Sequence, residues 1–226
     1  MTSKMAKTAS PPDTASMRAL ELTVAQRVTR RVIDLAIVLV ALILLIVPVL
    51  VIIALVVTTS RGPILYTQTR VGRRERHFNV LKFRTMRRGT HTALLSDEQE
   101  RERYRQNDFK LAADDPRITK AGRVLRKTSL DELPQLVNVF WGDMSIVGIR
   151  PLLPDELELR PEHDQTLYRS LRPGMTGLWQ VEGRSRVDQA DRIALDRRYV
   201  EQWSVWNDVK ILLRTPWALV KVHRAQ

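Results

Sequence analysis

Leu35-Ala36-Ile37-Val38-Leu39-Val40-Ala41-Leu42-Ile43-Leu44-Leu45-Ile46-Val47-Pro48-Val49-Leu50-Val51-Ile52-Ile53-Ala54-Leu55-Val56-Val57 carries no polar side chain over 23 residues. At about 1.5 Å per residue, a straight helix of this length reaches about 35 Å, enough for a hydrocarbon core of about 30 Å. The run therefore reads as a membrane helix. Pro48 lies past its midpoint, where it removes a backbone donor and bends the axis. Positive charge flanks both ends, with Arg27, Arg30 and Arg31 before and Arg61, Arg70, Arg73, Arg74 and Arg76 after. Basic flanks favour the cytoplasm. Both obey that preference only in a re-entrant hairpin bent at Pro48; a kinked span with one basic flank outside is the alternative, and charge and length leave both open. Asp34, at the edge of the run beside Arg31, reads as an interface anchor together with that arginine.

Outward from the run, residues 1–26 are rich in Ser, Thr, Ala and Pro and read as a flexible basic tail without the apolar core of a signal peptide. Ser60-Arg61-Gly62-Pro63 is a turn. Ile64–Thr69 and His77–Phe83 alternate as short strands. Lys82-Phe83-Arg84-Thr85-Met86-Arg87-Arg88 sets cations on both sides of an apolar pair, a pattern for phosphate or headgroup binding as well as for a solvated strand end. Residues 89–113 read as an exposed, mobile excursion with no chemistry, because Asp97–Asp108 is almost wholly polar and only Tyr104 offers a large apolar body. Asp114-Asp115-Pro116-Arg117 reads as a turn.

Composition narrows the chemistry. The chain has 226 residues, no cysteine, four histidines in no metal-ligand spacing, and nine glycines without a dinucleotide or P-loop pattern. Its net charge of +12 calls for anionic partners. What remains is Thr128-Ser129-Leu130-Asp131-Glu132-Leu133-Pro134-Gln135-Leu136, preceded by Arg123, Arg126 and Lys127. Ser129 and Glu132 fit a capping box, which starts a helix here and places Asp131 and Glu132 in its first turn, where free N–H groups favour ionised carboxylates. On spacing alone the pair is either a cap or a site: an ionised carboxylate among cations can attack phosphorus or bind a hard metal ion.

Farther on, Gly142–Pro151 reads as a turn, a short apolar strand and Arg150 fixed at a rigid bend, placed for bidentate phosphate binding or for the surface. Pro154–Pro161 is acidic and helical in type. Arg172–Ser185, with Arg172, Gln180 and Arg184, reads as a glycine-rich loop that brings backbone close to a ligand. Residues 187–203 form an amphipathic helix. Trp206–Val222 forms a basic one with tryptophans, suited to a membrane interface or to packing on the domain core.

The order of motifs resembles the bacterial sugar transferases, the single-domain polyprenyl-phosphate glycosyl-1-phosphate transferases of the exopolysaccharide-initiating type. The likeness covers about residues 28–220. It rests on Arg30-Arg31-x-x-Asp34 before the Pro48 run, Gly62-Pro63, Gln68-x-Arg70-x-Gly72, Lys82-Phe83-Arg84-Thr85-Met86 and Asp115-Pro116-Arg117-x-Thr119. Leu125–Leu136, Gly142–Pro151 and Arg172-Pro173-Gly174-x-Thr176-Gly177-Leu178-Trp179-Gln180 complete it. Ile149, Trp141, Thr85 and the Arg74-Glu75-Arg76 turn depart from the common pattern. The resemblance implies transfer of sugar-1-phosphate from a UDP-sugar, UDP-glucose or UDP-galactose by family habit, to undecaprenyl phosphate with release of UMP. It implies Asp131 as the nucleophile of a covalent phospho-sugar intermediate and Glu132 as a ligand of Mg2+. It favours the hairpin broken at Pro48 over the span. The chemistry of the residues agrees: Glu132 with Asp131 suits Mg2+, Lys82, Arg84, Arg126 and Arg150 supply cations for phosphate, and Arg172, Gln180 and Arg184 are further candidate substrate-binding residues.

The fold expected is mainly α with a few short strands: a tail (1–26), a re-entrant membrane helix (27–60) and a catalytic domain with interfacial helices (61–226). The protein is expected to be monotopic on the cytoplasmic face of the bacterial inner membrane, without a preceding multi-span module. Its expected partners are UDP-sugar, undecaprenyl phosphate and anionic lipid, with a homodimer allowed. A catalytically silent scaffold of a polysaccharide assembly complex is the alternative. Nucleic-acid binding is set aside, since basic and aromatic residues do not interleave.

Overall fold

In the computed structural model, residues 20–182, apart from Asp108, Lys110 and Ala113, and residues 188–223 are described. The chain is mainly helical with short strands, as its pattern predicts. Helix α1 spans Val24–Leu44 and α2 spans Ile46–Thr59. A capping box starts α1: Thr23 Oγ1 accepts from the Gln26 N–H, and the Gln26 side chain accepts from the Thr23 N–H. The helix therefore begins inside the stretch expected to be tail. No single helix among the described residues is long and apolar enough to cross a membrane; α1 and α2 pass only together, across a bend of 66°.

The bend corrects the expected break. It lies at Leu45 (φ −98°, ψ 4°), and Pro48 sits in the first turn of α2. A proline ring collides with the carbonyl four residues back and leaves it without a donor, so the helix fails upstream of the ring. Within a first turn the missing N–H has no carbonyl to reach, so Pro48 starts α2 without penalty.

Strands β1 (Leu65–Val71) and β2 (His77–Phe83) form an antiparallel hairpin in which Tyr66 faces Lys82 and Gln68 faces Val80. Helices α3 (Thr90–Ser96) and α4 (Glu98–Gln106) follow, then α5 (Lys120–Thr128) and α6 (Gln135–Trp141). Short strands β3 (Ser145–Val147) and β4 (Gly174–Thr176) pair in parallel. Between them lie α7 (Pro154–Glu158) and α8 (Glu162–Ser170); α9 (Leu178–Glu182), α10 (Gln189–Glu201) and α11 (Val205–His223) close the chain. The segment expected to be a glycine-rich loop thus contains β4 and α9. Gly174 and Gly177 admit backbone rather than ligand: a Cβ at Gly174 would lie 2.1 Å from Gly148 N, and one at Gly177 would lie 2.2 Å from Gly148 O.

Two apolar clusters hold these elements. The larger packs Val38 of α1 with Val71, Val80, Val139, Met144, Tyr168, Val200 and Ile211. The smaller joins Ile52 and Val56 of α2 to Phe83 and Leu125, with Leu130 and Leu133 against it. The outer face of the helix pair stays bare, with Ile43, Leu44, Ile46 and Val47 each more than 60% exposed. Helix α11 packs on the domain core along one face and leaves another bare. Ile211 is buried and the Thr215 and Thr176 hydroxyls meet at 2.9 Å, while Trp206, Leu213 and Trp217 stand exposed.

Asp34 and Arg31 are not an anchor in open interface. Asp34 is buried and accepts from Ser145 Oγ (2.8 Å) and the Ile146 N–H (2.9 Å), gripping β3. Arg31 donates to the carbonyls of Val139 and Phe140, satisfying the end of α6. Arg30, a turn before Asp34, donates to the Val147 carbonyl and pairs with Asp208 at 3.4 Å. Asp34→Ala would strand two buried donors and is expected to destabilise the fold by about 3 kcal/mol or more. Thermal unfolding should show a midpoint lowered by about 6 °C or more, whereas Asp34→Asn, which keeps one acceptor oxygen, should lose less. An unchanged midpoint for the alanine variant would contradict this role.

Candidate active site

The residue types expected at the acidic pair are present, but the local structure is not the one the capping pattern predicts. Ser129 does not start a helix. It ends α5 in the left-handed region (φ 58°, ψ 17°), and its side chain makes no cap bond. Leu130–Glu132 is a single 3₁₀ turn, and α6 begins only at Gln135, behind Pro134. Capping requires extended backbone at the cap residue, and the arrival of α5 at Ser129 precludes it. The reversal points Leu130 and Leu133 onto the α2 cluster and turns Asp131 inward.

Asp131 and Glu132 line a cleft of about 780 Å³, together with nine lysines and arginines and no other carboxylate among the described residues. Helix α5 contributes Arg123, Arg126 and Lys127, spaced three and four apart on one face. Lys82, from the end of β2, lies 2.7 Å from a Glu132 carboxylate oxygen. Arg126 Nε donates to Thr85 Oγ1 at 2.9 Å. Arg150, past the end of β3, lines the same cleft. Gln180 donates to the Met175 carbonyl, and its Oε1 is buried without a donor among the described residues. Lys82, Arg126, Arg150 and Gln180 thus line one cleft with the acidic pair, Lys82 and Arg126 nearest to it.

The other expected ligands part from them. Arg84 borders the cleft, but its guanidinium is spent on the end of α2, donating to the carbonyls of Pro63 and Ser60 and to Ser60 Oγ. It latches the helix pair to β2 rather than offering free charge. Arg172 lies in a different hollow, at the base of α1, because the segment before β4 runs on that side of the fold. Arg184 lies outside the described residues.

Burial decides the charge state of Asp131. It pushes the carboxyl up to about 6, with Lys82 opposing, Glu132 adding to the rise and Arg126 opposing. The helix-start environment expected to favour its ionised form is absent, so burial outweighs the nearby cations. Burial also raises Tyr66, to about 12, and Tyr104, so both hydroxyls stay protonated at neutral pH.

The excursion expected to be mobile and without chemistry in fact walls the cleft. Tyr104, Phe109, Leu111 and Ala112 line it, and the Tyr104 and Phe109 rings meet edge to face at 5.7 Å. Charged pairs brace α4 from outside, including Arg117–Glu100 at 3.0 Å and Arg105–Asp155 at 2.7 Å. The two aromatics were the only signal in the sequence, and a polar background hid them. Asp115 does form the expected turn: it accepts from the Arg117 N–H and guanidinium, bonds that hold its carboxyl below the usual range.

No three His, Asp or Glu side chains converge among the described residues. A hard divalent ion would therefore draw on the acidic pair and on substrate oxygens, as Mg2+ commonly does. The pair fits such an ion: both ligands are carboxylates, and the raised Asp131 shows a group short of positive charge despite Lys82 and Arg126.

The family model described as bacterial sugar transferase matches residues 25–222. An uncharacterized sugar transferase of Haemophilus influenzae is 50% identical over 157 residues, 68% of this chain and 33% of its own length. The undecaprenyl-phosphate galactose phosphotransferase of Salmonella typhimurium is 49% identical over 162 residues, 70% of this chain and 34% of its own. The exopolysaccharide production protein ExoY of Sinorhizobium fredii is 42% identical over 192 residues, 83% of this chain and 84% of its own. The chain thus spans about one third of the length of the first two relatives and most of the third. It belongs to the bacterial sugar transferase family.

A carboxyl raised from 3.8 to about 6 binds its proton more tightly in the folded state than in the unfolded one. Ionised Asp131 therefore weakens the fold above about pH 6, by on the order of 3 kcal/mol, and this penalty fades as pH falls from 6 towards 4. Asp131→Asn should thus raise the thermal midpoint at pH 7.5 in metal-free buffer, with the gain shrinking at pH 5. Equal midpoints at both pH values would show that Asp131 carries no such penalty.

Proposed function

We propose that this member of the bacterial sugar transferase family transfers sugar-1-phosphate from a UDP-sugar, UDP-galactose or UDP-glucose, to undecaprenyl phosphate. UMP is released, as the first membrane step of exopolysaccharide or capsule synthesis. The observation that carries this reading is a buried carboxylate, Asp131, facing a cleft whose other charges are overwhelmingly cationic. The name of the Salmonella relative supports undecaprenyl phosphate as acceptor and galactose as the sugar.

Cleaving a pyrophosphate asks for neutralised charge and alignment more than for acid–base power. Ionised Asp131 attacks the phosphorus that bears the sugar. The bond from that phosphorus to the bridging oxygen breaks, and UMP departs with the electron pair. An oxygen of undecaprenyl phosphate then attacks the same phosphorus and displaces the Asp131 carboxylate, giving the lipid diphosphate sugar. One phosphoanhydride is broken and one formed, with no net proton transfer. Lys82 and Arg126, beside the acidic pair, and Arg150, in the same cleft, hold the phosphates. Lys82 also orients Glu132. The orphan oxygen of Gln180 is an acceptor for a substrate N–H or O–H. Mg2+, held by Glu132 with Asp131, would neutralise phosphate charge when bound.

The lipid acceptor places the protein at a bilayer. The bare apolar face of α1 and α2 enters one leaflet as a hairpin with its apex at Leu45, and Trp206 and Trp217 of α11 lie at the interface. Basic flanks on both sides of the hairpin favour the cytoplasmic face of the bacterial inner membrane. Leu130 and Leu133 pack against α2, so the acidic pair sits at the foot of the hairpin, where a lipid phosphate arrives.

Detergent-solubilised protein given undecaprenyl phosphate and a panel of UDP-sugars should release UMP with UDP-galactose or UDP-glucose. Asp131→Asn should lower turnover by at least about 10³-fold, and wild-type turnover should fall as pH drops below about 6. Substantial turnover by that variant would remove Asp131 as nucleophile. Glu132→Gln should lose most activity and shift the Mg2+ dependence; an unchanged metal profile would leave Glu132 as the partner of Lys82 alone.

A further inference from the structure

A second basic hollow, of about 380 Å³, opens at the base of the hairpin. Arg27, Arg30 and Arg31 reach it from α1, Arg73 from the β1–β2 turn, and Arg172 from the segment before β4. No carboxylate lines it among the described residues, and no residue lines both it and the Asp131 cleft. Arg30 and Arg31 are occupied, the first by Asp208 and the Val147 carbonyl, the second by the end of α6. Arg27, Arg73 and Arg172 pair with no carboxylate among the described residues. Burial first, then the surrounding guanidinium groups, hold Arg73 and Arg172 below the usual arginine range. Like charges gathered this way are relieved by a bound anion.

The turn that brings Arg73 here is strained. Arg74 and Glu75 both have positive φ (56° and 61°), rare for two successive residues other than glycine. Glu75 is fastened to Arg169 at 2.7 Å, and the Gly72 N–H donates to the Arg76 carbonyl at 2.9 Å. The remaining wall is apolar. Val24, Val28 and Val32, four residues apart on one face of α1, line the hollow and are each more than half exposed. Guanidinium forks opening onto a bare aliphatic helix face match a phosphodiester with acyl chains attached.

We propose that this hollow binds the phosphodiester of an anionic membrane phospholipid, as a site separate from the Asp131 cleft, with the acyl chains along the valine face. The lipid is not consumed; it holds the start of α1 and the β1–β2 turn together at the bilayer surface. The proposal rests on the hairpin lying in a bilayer, but not on the transfer reaction.

The test uses the full-length protein in neutral detergent, equilibrated with phosphatidylglycerol, phosphatidylcholine or inorganic phosphate. Retained lipid is counted by native mass spectrometry. Phosphatidylglycerol should be retained and phosphatidylcholine should stay at background. The double variant Arg27→Gln, Arg73→Gln should weaken phosphatidylglycerol retention by at least about tenfold. Arg73→Lys, which keeps the charge, should retain most of it, and Asp131→Asn should retain all of it. Equal retention of the two lipids, or wild-type retention by the double variant, would overturn the proposal. Displacement of phosphatidylglycerol by millimolar inorganic phosphate would assign the hollow to a free anion and overturn the lipid. Loss of retention in Asp131→Asn would place the lipid in the cleft instead, and would leave the turnover experiments to judge the reaction separately.

Discussion

Asp34 sits midway along α1, where the apolar run begins, and it is buried in protein and bonded to Ser145 and Ile146 of β3. Arg30, one turn earlier, is bonded to β3 and to α11 through Asp208, which also accepts from Tyr199 and Trp203. Buried charge is tolerable only when paired and hydrogen-bonded, so this network has one low-energy arrangement. It ties the first helix of the pair to the strand from which the chain reaches Arg150. Arg84 does the same for the second helix, latching Ser60 to the end of β2 beside Lys82. The apolar helices are therefore bonded to the elements that build the charged cleft, and Leu130 and Leu133 pack the acidic turn against α2.

That arrangement explains a locally unfavourable site. Ser129 is held at positive φ and Asp131 is buried without enough cation to keep its carboxyl low. Neither is what stability alone selects. Leu130 and Leu133, packed on α2, hold the turn in place around them. A buried carboxylate that is poorly neutralised is a better nucleophile than one locked in an ion pair.

Much of this was readable in the residues. Periodicity found β2 to the residue and located α10 and α11, and the uninterrupted apolar run identified the helix pair. The failures have definite causes. Pro48 marks the break, but the steric conflict acts on the carbonyl before it, so the chain turns at Leu45. Ser129 and Glu132 match a capping box in spacing, but whether serine caps a helix depends on the backbone arriving at it, here the end of α5. The α4 region looked solvent-facing because one polar face hides a single useful aromatic, Tyr104, whose partner Phe109 lies beyond the helix. Arg84 and Arg172 carried the right charge for phosphate, but only tertiary structure reveals that one is consumed by carbonyls and the other opens onto another hollow.

The central claim is that Asp131 is a nucleophile and not merely a ligand or a turn residue. Incubating the protein with UDP-galactose or UDP-glucose and Mg2+, without lipid acceptor, and measuring its intact mass tests this most directly. The account predicts one added hexose phosphate, mapped to the peptide bearing Asp131 and discharged by undecaprenyl phosphate. An unmodified mass, with UMP released only when both substrates are present, would contradict it.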